Sequence, residues 1–469
     1  MGKQLYDFGM VGLGVMGRNF LLNVADNGFS IIGLDTNPAQ AKALEEEAEG
    51  RVAKGTTKVK EFVASLKTPR KIMLLVPAGR VVDIVIEDLL KHVEKGDLIL
   101  DGGNSFFEDT DRRLAYLKEK KVEFLGVGVS GGAKGARFGP SIMPGGSKKA
   151  YNKVKKILEA VSAKVNGEPC VAYMGKGSAG NYVKMVHNGI EYAMMQLLAE
   201  SYDILKQIGG LSNEELHKAY VKYNRGKLKS FLVEITAAIF AQPDDLGKGR
   251  LIDKILDKAK QKGTGKWTSQ NAMDFGIPVP TIDAAVTMRG ISSLKAERVA
   301  ASKVLGVRGS KTKTTKAKLV KAVGDALHFA FVTAYAQGLA LLTDASKENN
   351  YGLDMEATAR IWRGGCIIRA SLLEDIRQAY SNNEELPNLM IDPAFAASLK
   401  KTHKATRSII KMGIDAGIPT LAFSASLAYF DAYRDGRLPL NLVQAQRDYF
   451  GSHTYERTDK EGKFHTEWS

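Results

Sequence analysis

Apolar and polar positions repeat on two different periods along this chain, and the change of period divides it. Up to about residue 178, apolar runs of strand length alternate with amphipathic stretches of helix length. Residues 6–11, 31–34, 72–76, 98–100 and 123–128 read as strands; 17–27, 39–47 and 81–90 read as crossover helices. Short buried strands joined through helices imply a mainly parallel sheet covered on both faces. A weaker pattern over 141–173 extends that sheet by two or three strands.

From 179 to 437 the helical period takes over, in segments 181–207, 211–223, 231–240, 284–303 and 319–342. Ser212 and Glu215 have the spacing of a capping box at the start of the second. The string NAMDFGIPVPTIDAA around Gly276 resembles IKMGIDAGIPTLAFSA around Gly417, 141 residues on. Glu191-Tyr192-Ala193 matches Ala334-Tyr335-Ala336 at an offset of 143. Two offsets so close predict a duplicated helical unit. Residues 438–469 form a polar terminal segment, either a mobile tail or, through Arg447 and His453, a functional one. The expected architecture is therefore an α/β Rossmann-like domain over 1–178, an all-α, internally duplicated domain over 179–437, and a tail.

Composition narrows the class. The 469 residues are 44% hydrophobic and 25% charged, which fits a globular chain rather than a disordered one. Two cysteines, Cys170 and Cys366, make neither a disulfide framework nor a metal cluster, and no metal is expected. The formal charge of +15 comes without a long Lys/Arg block or a nucleic-acid motif, so no nucleic-acid partner is expected. No uncharged apolar run reaches eighteen residues, so no membrane partner is expected. The N-terminus lacks the pattern of a signal peptide, and Tyr6 stands where an acylation signal carries Ser or Thr. Cytoplasm is the expected location.

Candidate chemistry begins at VGLGVMG, which follows the first strand and opens the first helix. Gly12 permits the tight turn, Gly14 lets a pyrophosphate approach the backbone, and Gly17 lets the helix pack on the sheet. With Leu13, Val15 and Met16 they present the amides of a helix start to phosphate. Asp35, eighteen residues beyond Gly17, ends the second strand where a carboxylate accepts hydrogen bonds from an adenosine ribose. A carboxylate there repels a 2′-phosphate, and Thr36 and Asn37 bring no cation to offset it, so NAD is expected over NADP. The alternative is that Asp35 caps a turn while a cation from another loop reads the phosphate. Val76, Pro77 and Ala78 follow the third strand and join the cofactor loop set.

Asn104 in DGGNS and Ser130-Gly131-Gly132 follow later strands, at the sheet edge where open α/β folds bind ligands. The densest cluster is NYVKMVHNGIEYAM. On a helix, Lys184, His187, Asn188, Glu191 and Tyr192 make one polar stripe in an otherwise apolar segment.

At this point the chain resembles the decarboxylating 6-phosphogluconate dehydrogenases of the β-hydroxyacid dehydrogenase superfamily. The resemblance runs through GLGVMGRN, DGGNS, VSGG with GARFGPSIMPGG, NYVKMVHNGIEY, QKGTGKWT and QAQRDYFGSHTYER. It implies oxidation of 6-phosphogluconate at C3, then loss of CO2 to give ribulose 5-phosphate, with reduction of a nicotinamide cofactor and no metal. By the same resemblance Lys184 is the general base and Glu191 the acid that protonates C1. His187 and Asn188 position substrate and cofactor; Asn104, which also contacts the cofactor, and Ser130, Gly131 and Gly132 position the sugar acid. Tyr192, Lys262, Thr264 and Arg289 form the phosphate pocket. Arg447 and His453 reach the site from the other subunit of a homodimer. Competing readings are another β-hydroxyacid dehydrogenase and a nonenzymatic nucleotide-binding scaffold.

Three departures from the family pattern stand out. NADP-linked members commonly carry Asn-Arg-Ser/Thr where this chain has Asp35-Thr36-Asn37. That reinforces the expectation of NAD preference, with NADP use possible. Pro77 replaces a frequent lysine, and Ala133-Lys134 a commonly acidic pair.

Overall fold

The computed structural model describes residues 4–306 and 314–468. The acylation reading at residues 1–3 falls outside them.

The first region is a seven-stranded sheet in the order β3-β2-β1-β4-β5-β6-β7. Its strands are β1 (Phe8–Val11), β2 (Ile31–Leu34), β3 (Ala53–Thr56), β4 (Lys71–Leu74), β5 (Leu98–Asp101), β6 (Glu123–Ser130) and β7 (Ser141–Gly146). The first six are parallel; β7 pairs antiparallel with β6, with Pro144 opposite Val127. Between and around them lie α1 (Val15–Asp26), α2 (Pro38–Glu47), α3 (Val59–Ala64), α4 (Arg80–Leu90), α5 (Phe107–Glu119), α6 (Gly132–Phe138) and α7 (Lys148–Val161). Separate apolar clusters form on the two sides of the sheet: Phe20, Leu21 and Tyr151 in one, Phe62, Ile86 and Leu117 in the other. Strand order reverses between β1 and β4, which opens a crevice at their carboxyl ends. The edge strand β3 (AKGT) has too little apolar character to declare itself in the sequence.

A small hairpin, β8 (Lys164–Val165) and β9 (Glu168–Pro169), leads into α8 (Ala179–Gln207). Then follow α9 (Asn213–Tyr223), α10 (Phe231–Ala241), α11 (Thr264–Asp274), α12 (Pro280–Ser293), α13 (Lys295–Leu305), α14 (Lys316–Glu348), α15 (Met355–Trp362), α16 (Leu372–Asn382), α17 (Pro393–Asp415) and α18 (Leu421–Tyr433). The Ser212–Glu215 capping box forms at α9 with both reciprocal bonds. The segment read as one helix over 284–303 is two, α12 and α13, separated at Leu294. Among the described residues, α14 alone is long and apolar enough to cross a membrane; 89% of its apolar window is buried within the protein, as in a core helix. The tail comprises α19 (Leu440–Gly451) and the antiparallel pair β10 (Tyr455–Glu456) and β11 (Lys463–Phe464).

Glycines set how α8 meets the sheet. A Cβ on Gly128 would lie 2.5 Å from Lys184 Cβ, and one on Gly180 would lie 2.2 Å from Met143 O. With side chains at either place the helix would stand off the sheet. Without them its first turns press against β6 and β7, and Lys184 arrives beside the carboxyl end of β6.

Candidate active site

The nucleotide cradle is backbone, and each glycine has a separate reason. Gly12 has φ +92°, and a Cβ there would meet Leu75 O at 2.5 Å. A Cβ on Gly17 would lie 1.9 Å from Gly12 O, so α1 packs on the turn only with glycine. A Cβ on Gly14 would meet no protein atom within 4 Å. Gly14 thus faces open space at the start of α1, where Val15 and Met16 supply helix-start amides. A dinucleotide pyrophosphate fits this arrangement of close turn, bare backbone and positive helix end. Val76 borders the turn, with its Cγ1 3.0 Å from the same hypothetical Gly12 Cβ, and Pro77 and Ala78 follow it in the chain.

Both oxygens of Asp35 already accept from the backbone. Its Oδ2 accepts from Leu13 N at 2.7 Å and its Oδ1 from Asn37 N at 2.9 Å. The carboxylate ties the glycine turn to the end of β2, while Asn37 caps α2 by accepting from Ala39 N. This is the turn-capping alternative.

The candidate catalytic cluster lies where α8 passes Ser130. Lys184 Nζ donates to Asn188 Oδ1 at 2.8 Å and to Ser130 Oγ at 3.3 Å. Ser130 Oγ is 3.4 Å from His187 Nε2, and His187 Nδ1 is 3.1 Å from Asn188 Oδ1. Asn188 Nδ2 donates to Thr264 Oγ1 at 3.0 Å, which links the stripe to the start of α11. Glu191 Oε2 lies 3.9 Å from His187 Nδ1, one turn beyond Asn188. Lys184, His187, Asn188 and Tyr192 are all buried. Burial pushes the Lys184 ammonium below its ordinary range, with Glu191 pulling the other way. Burial pushes the Glu191 carboxyl up against the pull of Lys184 and Arg289. Burial, and then Lys184, hold His187 well below the usual imidazole range, so it is neutral. An amine made easier to deprotonate beside a carboxyl made easier to protonate is the tuning a base and an acid need near neutrality.

Tyr192 and Arg289 form the next wall. The Arg289 guanidinium lies 3.6 Å from the Tyr192 ring centroid and donates to Lys260 O at 2.8 Å. Gly265 makes room for that ring, since a Cβ there would lie 2.4 Å from Tyr192 Cδ2. Lys262 is exposed in the loop before α11, and Thr264, the first residue of α11, is buried. Asn104 is exposed at the end of β5, in a loop whose geometry is fixed from below. The fully buried Asp101 accepts from Gly103 N at 3.1 Å, from Ser105 Oγ at 2.6 Å and from Arg113 Nη1 at 3.4 Å. Arg447 and His453 sit in the tail, both exposed; Arg447 donates to Gln444 and His453 packs edge-on to Phe450.

One wall was not anticipated. The turn after α15 brings Gly365 O within 2.5 Å of a hypothetical Cβ on Gly131 and accepts from Ser141 N at 2.8 Å. Trp362 packs edge-on to His187 with ring centroids 5.5 Å apart. Burial raises the Cys366 thiol to about 12, so it stays a protonated, apolar part of this floor. The Gly-Gly pair at 364–365 was the only available signal, and nothing local ties it to a site more than 170 residues earlier.

Comparison with known proteins covers both regions. A family model for the 6-phosphogluconate dehydrogenase C-terminal domain matches residues 180–468, and one for the NAD binding domain of 6-phosphogluconate dehydrogenase matches 7–175. A Bacillus subtilis protein described as 6-phosphogluconate dehydrogenase, NADP(+)-dependent, decarboxylating is 51% identical over 469 residues, covering all of both chains. An Arabidopsis thaliana decarboxylating 6-phosphogluconate dehydrogenase is 50% identical, covering 100% of this chain and 98% of its own. The solved structure of Plasmodium falciparum 6-phosphogluconate dehydrogenase, described apo, with its cofactor NADP+ and with its substrate 6-phosphogluconate, superposes with TM-score 0.95 at 48% identity. It covers 98% of this chain and 100% of its own. These relatives overturn the expected NAD preference. The expectation rested on Asp35 as a ribose ligand alone; its oxygens also accept the Leu13 and Asn37 amides, so the carboxylate serves as a cap of the turn.

Proposed function

This chain belongs to the decarboxylating 6-phosphogluconate dehydrogenase family, and we propose that it converts 6-phosphogluconate to ribulose 5-phosphate and CO2 with NADP as oxidant. The observation that carries the reading is the buried Lys184–Ser130–Asn188 cluster with Glu191 one turn away. The bound nicotinamide supplies the hydride acceptor. Lys184, as the neutral amine, takes the proton of the C3 hydroxyl. As the ammonium it then faces the ketone oxygen and stabilises the negative charge that develops there as the C1 carboxylate leaves. Ser130 and Asn188 hold the Lys184 amine in place through both protonation states, since each offers it an oxygen. Glu191 delivers a proton to C1 of the resulting enediol. His187 and Asn188, with Asn104 and the Ser130-Gly131-Gly132 turn, orient the sugar acid. Arg289, Lys262, Thr264 and Tyr192 receive its phosphate, for which a guanidinium offers a paired donor set.

Arg447 and His453 complete the site from the partner subunit of a homodimer. The exposed apolar residues of α19, among them Leu442, Tyr449 and Phe450, support this, as does a cavity of about 560 Å3 beside Arg289 lined by Ile255, Leu256 and Met288.

Two experiments test these readings. Incubation of 6-phosphogluconate with NADP, and separately with NAD, is expected to release one CO2 per reduced cofactor, with the higher kcat/KM for NADP. Reduction without CO2 release would reject decarboxylation. For the shared site, dimers of a Lys184→Leu chain and an Arg447→Ala chain are reassembled together. Random pairing is expected to restore about a quarter of wild-type turnover, because half the dimers carry one complete site of two. Sites built within one chain would recover nothing.

A further inference from the structure

The tail is folded around one carboxylate. Asp448 on α19 is fully buried, although its neighbours Arg447 and Tyr449 are exposed. Its Oδ1 accepts from Thr454 N at 2.9 Å and from His465 Nδ1 at 2.9 Å. Its Oδ2 accepts from Thr466 N at 3.1 Å and from Trp468 Nε1 at 2.9 Å. Four donors, drawn from both sides of the β10–β11 pair, converge on a single side chain. Burial alone would raise this carboxyl, but the bonds from His465, Trp468, Thr466 and Thr454 prevail and hold it at about 2. It is therefore ionised at neutral pH, and its hydrogen bonds are charge-assisted.

The clasp controls what lies between its ends. Ser452 and Thr454 flank His453 with φ of +49° and +60°. A left-handed backbone is uncommon for any residue with a side chain and a marked outlier for a β-branched threonine. Such a conformation persists only where its surroundings over-determine it. Thr454 is gripped on both sides: its N–H donates to Asp448, and its carbonyl accepts from Gln444 Nε2 at 2.6 Å. Gln444 Oε1 in turn accepts from Arg447 Nη1 at 3.1 Å. His453 is seated over Gly451, where a Cβ would lie 2.8 Å from its Nε2. One connected network thus runs from Asp448 through Thr454 and Gln444 to Arg447, and it fixes the turn that carries His453.

We infer that Asp448 is a positioning residue that presents Arg447 and His453 to 6-phosphogluconate as one preformed unit. The inference rests on the proposed role of these two residues in the partner subunit's site. Two exposed side chains on a loose tail would have to be ordered each time substrate bound, and that ordering would weaken binding. The clasp orders them in advance. Asp448 itself need not touch substrate.

The test uses the full-length enzyme and a double-mutant cycle. In Asp448→Asn one oxygen becomes a donor facing donors, so the clasp opens. KM for 6-phosphogluconate is expected to rise about tenfold or more while KM for NADP stays within twofold. Trp468→Phe, which removes one of the four donors, is expected to raise the same KM by about two- to fivefold, and it serves if the asparagine variant is poorly folded. In an Arg447→Ala/His453→Ala background, Asp448→Asn is expected to add less than twofold, because the residues it acts through are gone. A merely structural role would raise both KM values and multiply in full on that background; either result overturns the proposal. A large loss in Arg447→Ala/His453→Ala with none in Asp448→Asn or Trp468→Phe overturns the clasp alone. No loss in Arg447→Ala/His453→Ala overturns the tail's role in the site, and the clasp's role with it.

Discussion

The helices α8 and α14 pack against each other at the centre of the helical region, and they are one element put to two uses. Each is followed by two shorter helices, then by a helix that ends at Gly-Ile-Pro, then by a further helix. The two Gly-Ile-Pro turns agree closely. Gly276 and Gly417 have φ of +67° and +65°; Ile277 N and Ile418 N each return to a carbonyl five residues back at 2.8 Å. Val279 and Thr420 enter the next helices at φ/ψ of −126°/48° and −122°/46°. At the 143-residue offset, Tyr192 falls on Tyr335, but Lys184, His187, Asn188 and Glu191 fall on Leu327, Ala330, Phe331 and Ala334. One copy is an apolar core helix; the other keeps the backbone and carries polar groups at four of the matching positions, three of them buried. Burial of a charged group is costly unless it is paired. The stripe on α8 is therefore expected to cost local stability to the extent that its hydrogen bonds fall short of full compensation.

The most severe test gives α8 the residue of its counterpart. Lys184→Leu is expected to lower kcat by roughly 10³-fold or more, since the proposed proton removal and oxyanion stabilisation are both lost. Its thermal midpoint is expected to equal or exceed that of the wild type, because an apolar side chain replaces a desolvated amine. A large drop in the midpoint would mean that Lys184 holds the fold as well as the chemistry. The reverse exchange, Leu327→Lys, places an ammonium in the apolar cluster with no partner built for it. It is expected to cost about 3–5 kcal/mol in urea unfolding.

Glu191→Gln removes the proposed acid but keeps the shape, and kcat is expected to fall about 10²-fold. The pH profile carries the sharper information. On the proposed assignment, activity requires Lys184 neutral and Glu191 protonated, so kcat/KM of the wild type is expected to rise with pH through one limb and fall through the other. The two apparent values belong to the coupled pair. With glutamine at 191 nothing acidic remains to be lost, and the alkaline fall attributable to this pair is expected to disappear. Its persistence would assign that limb to another group.

Much of this was legible where the physics is local. The glycine spacing of the first turn, the Ser212–Glu215 capping box and the polar stripe of α8 each state their reason within a few residues. The rest depends on partners far along the chain. Asp35 has the position of a ribose ligand, but the sequence does not say that Leu13 and Asn37 already engage its oxygens. The strand β3 gains its place from α2 and β2 rather than from its own apolar content, and a Cβ on Gly55 would lie 2.1 Å from Ala41 O. The Gly365 wall and the Asp448 clasp were invisible for the same reason: neither has periodicity, and each is defined by a backbone group or donor arriving from elsewhere.

The smallest expected effect probes how the two copies touch. Gly338 on α14 faces α8, and a Cβ there would lie 2.5 Å from Ile190 Cδ1 and 3.4 Å from Val186 Cγ1. Alanine gains about 1 kcal/mol of helix propensity over glycine. Against this stands an overpacking cost of about 1–3 kcal/mol, since Ile190 Cγ1, at 2.6 Å, must give way as well as Cδ1. The propensity gain offsets part of it, so Gly338→Ala is expected to lower stability by no more than about 2 kcal/mol. Ile190, however, directly precedes Glu191, and any retreat of α8 is passed to the stripe. Turnover is expected to fall about two- to fivefold, with KM for NADP unchanged. If stability and turnover both stayed at wild-type values, Ile190 would have yielded without moving α8. The apolar copy would then be a support for the catalytic helix but not a determinant of its position.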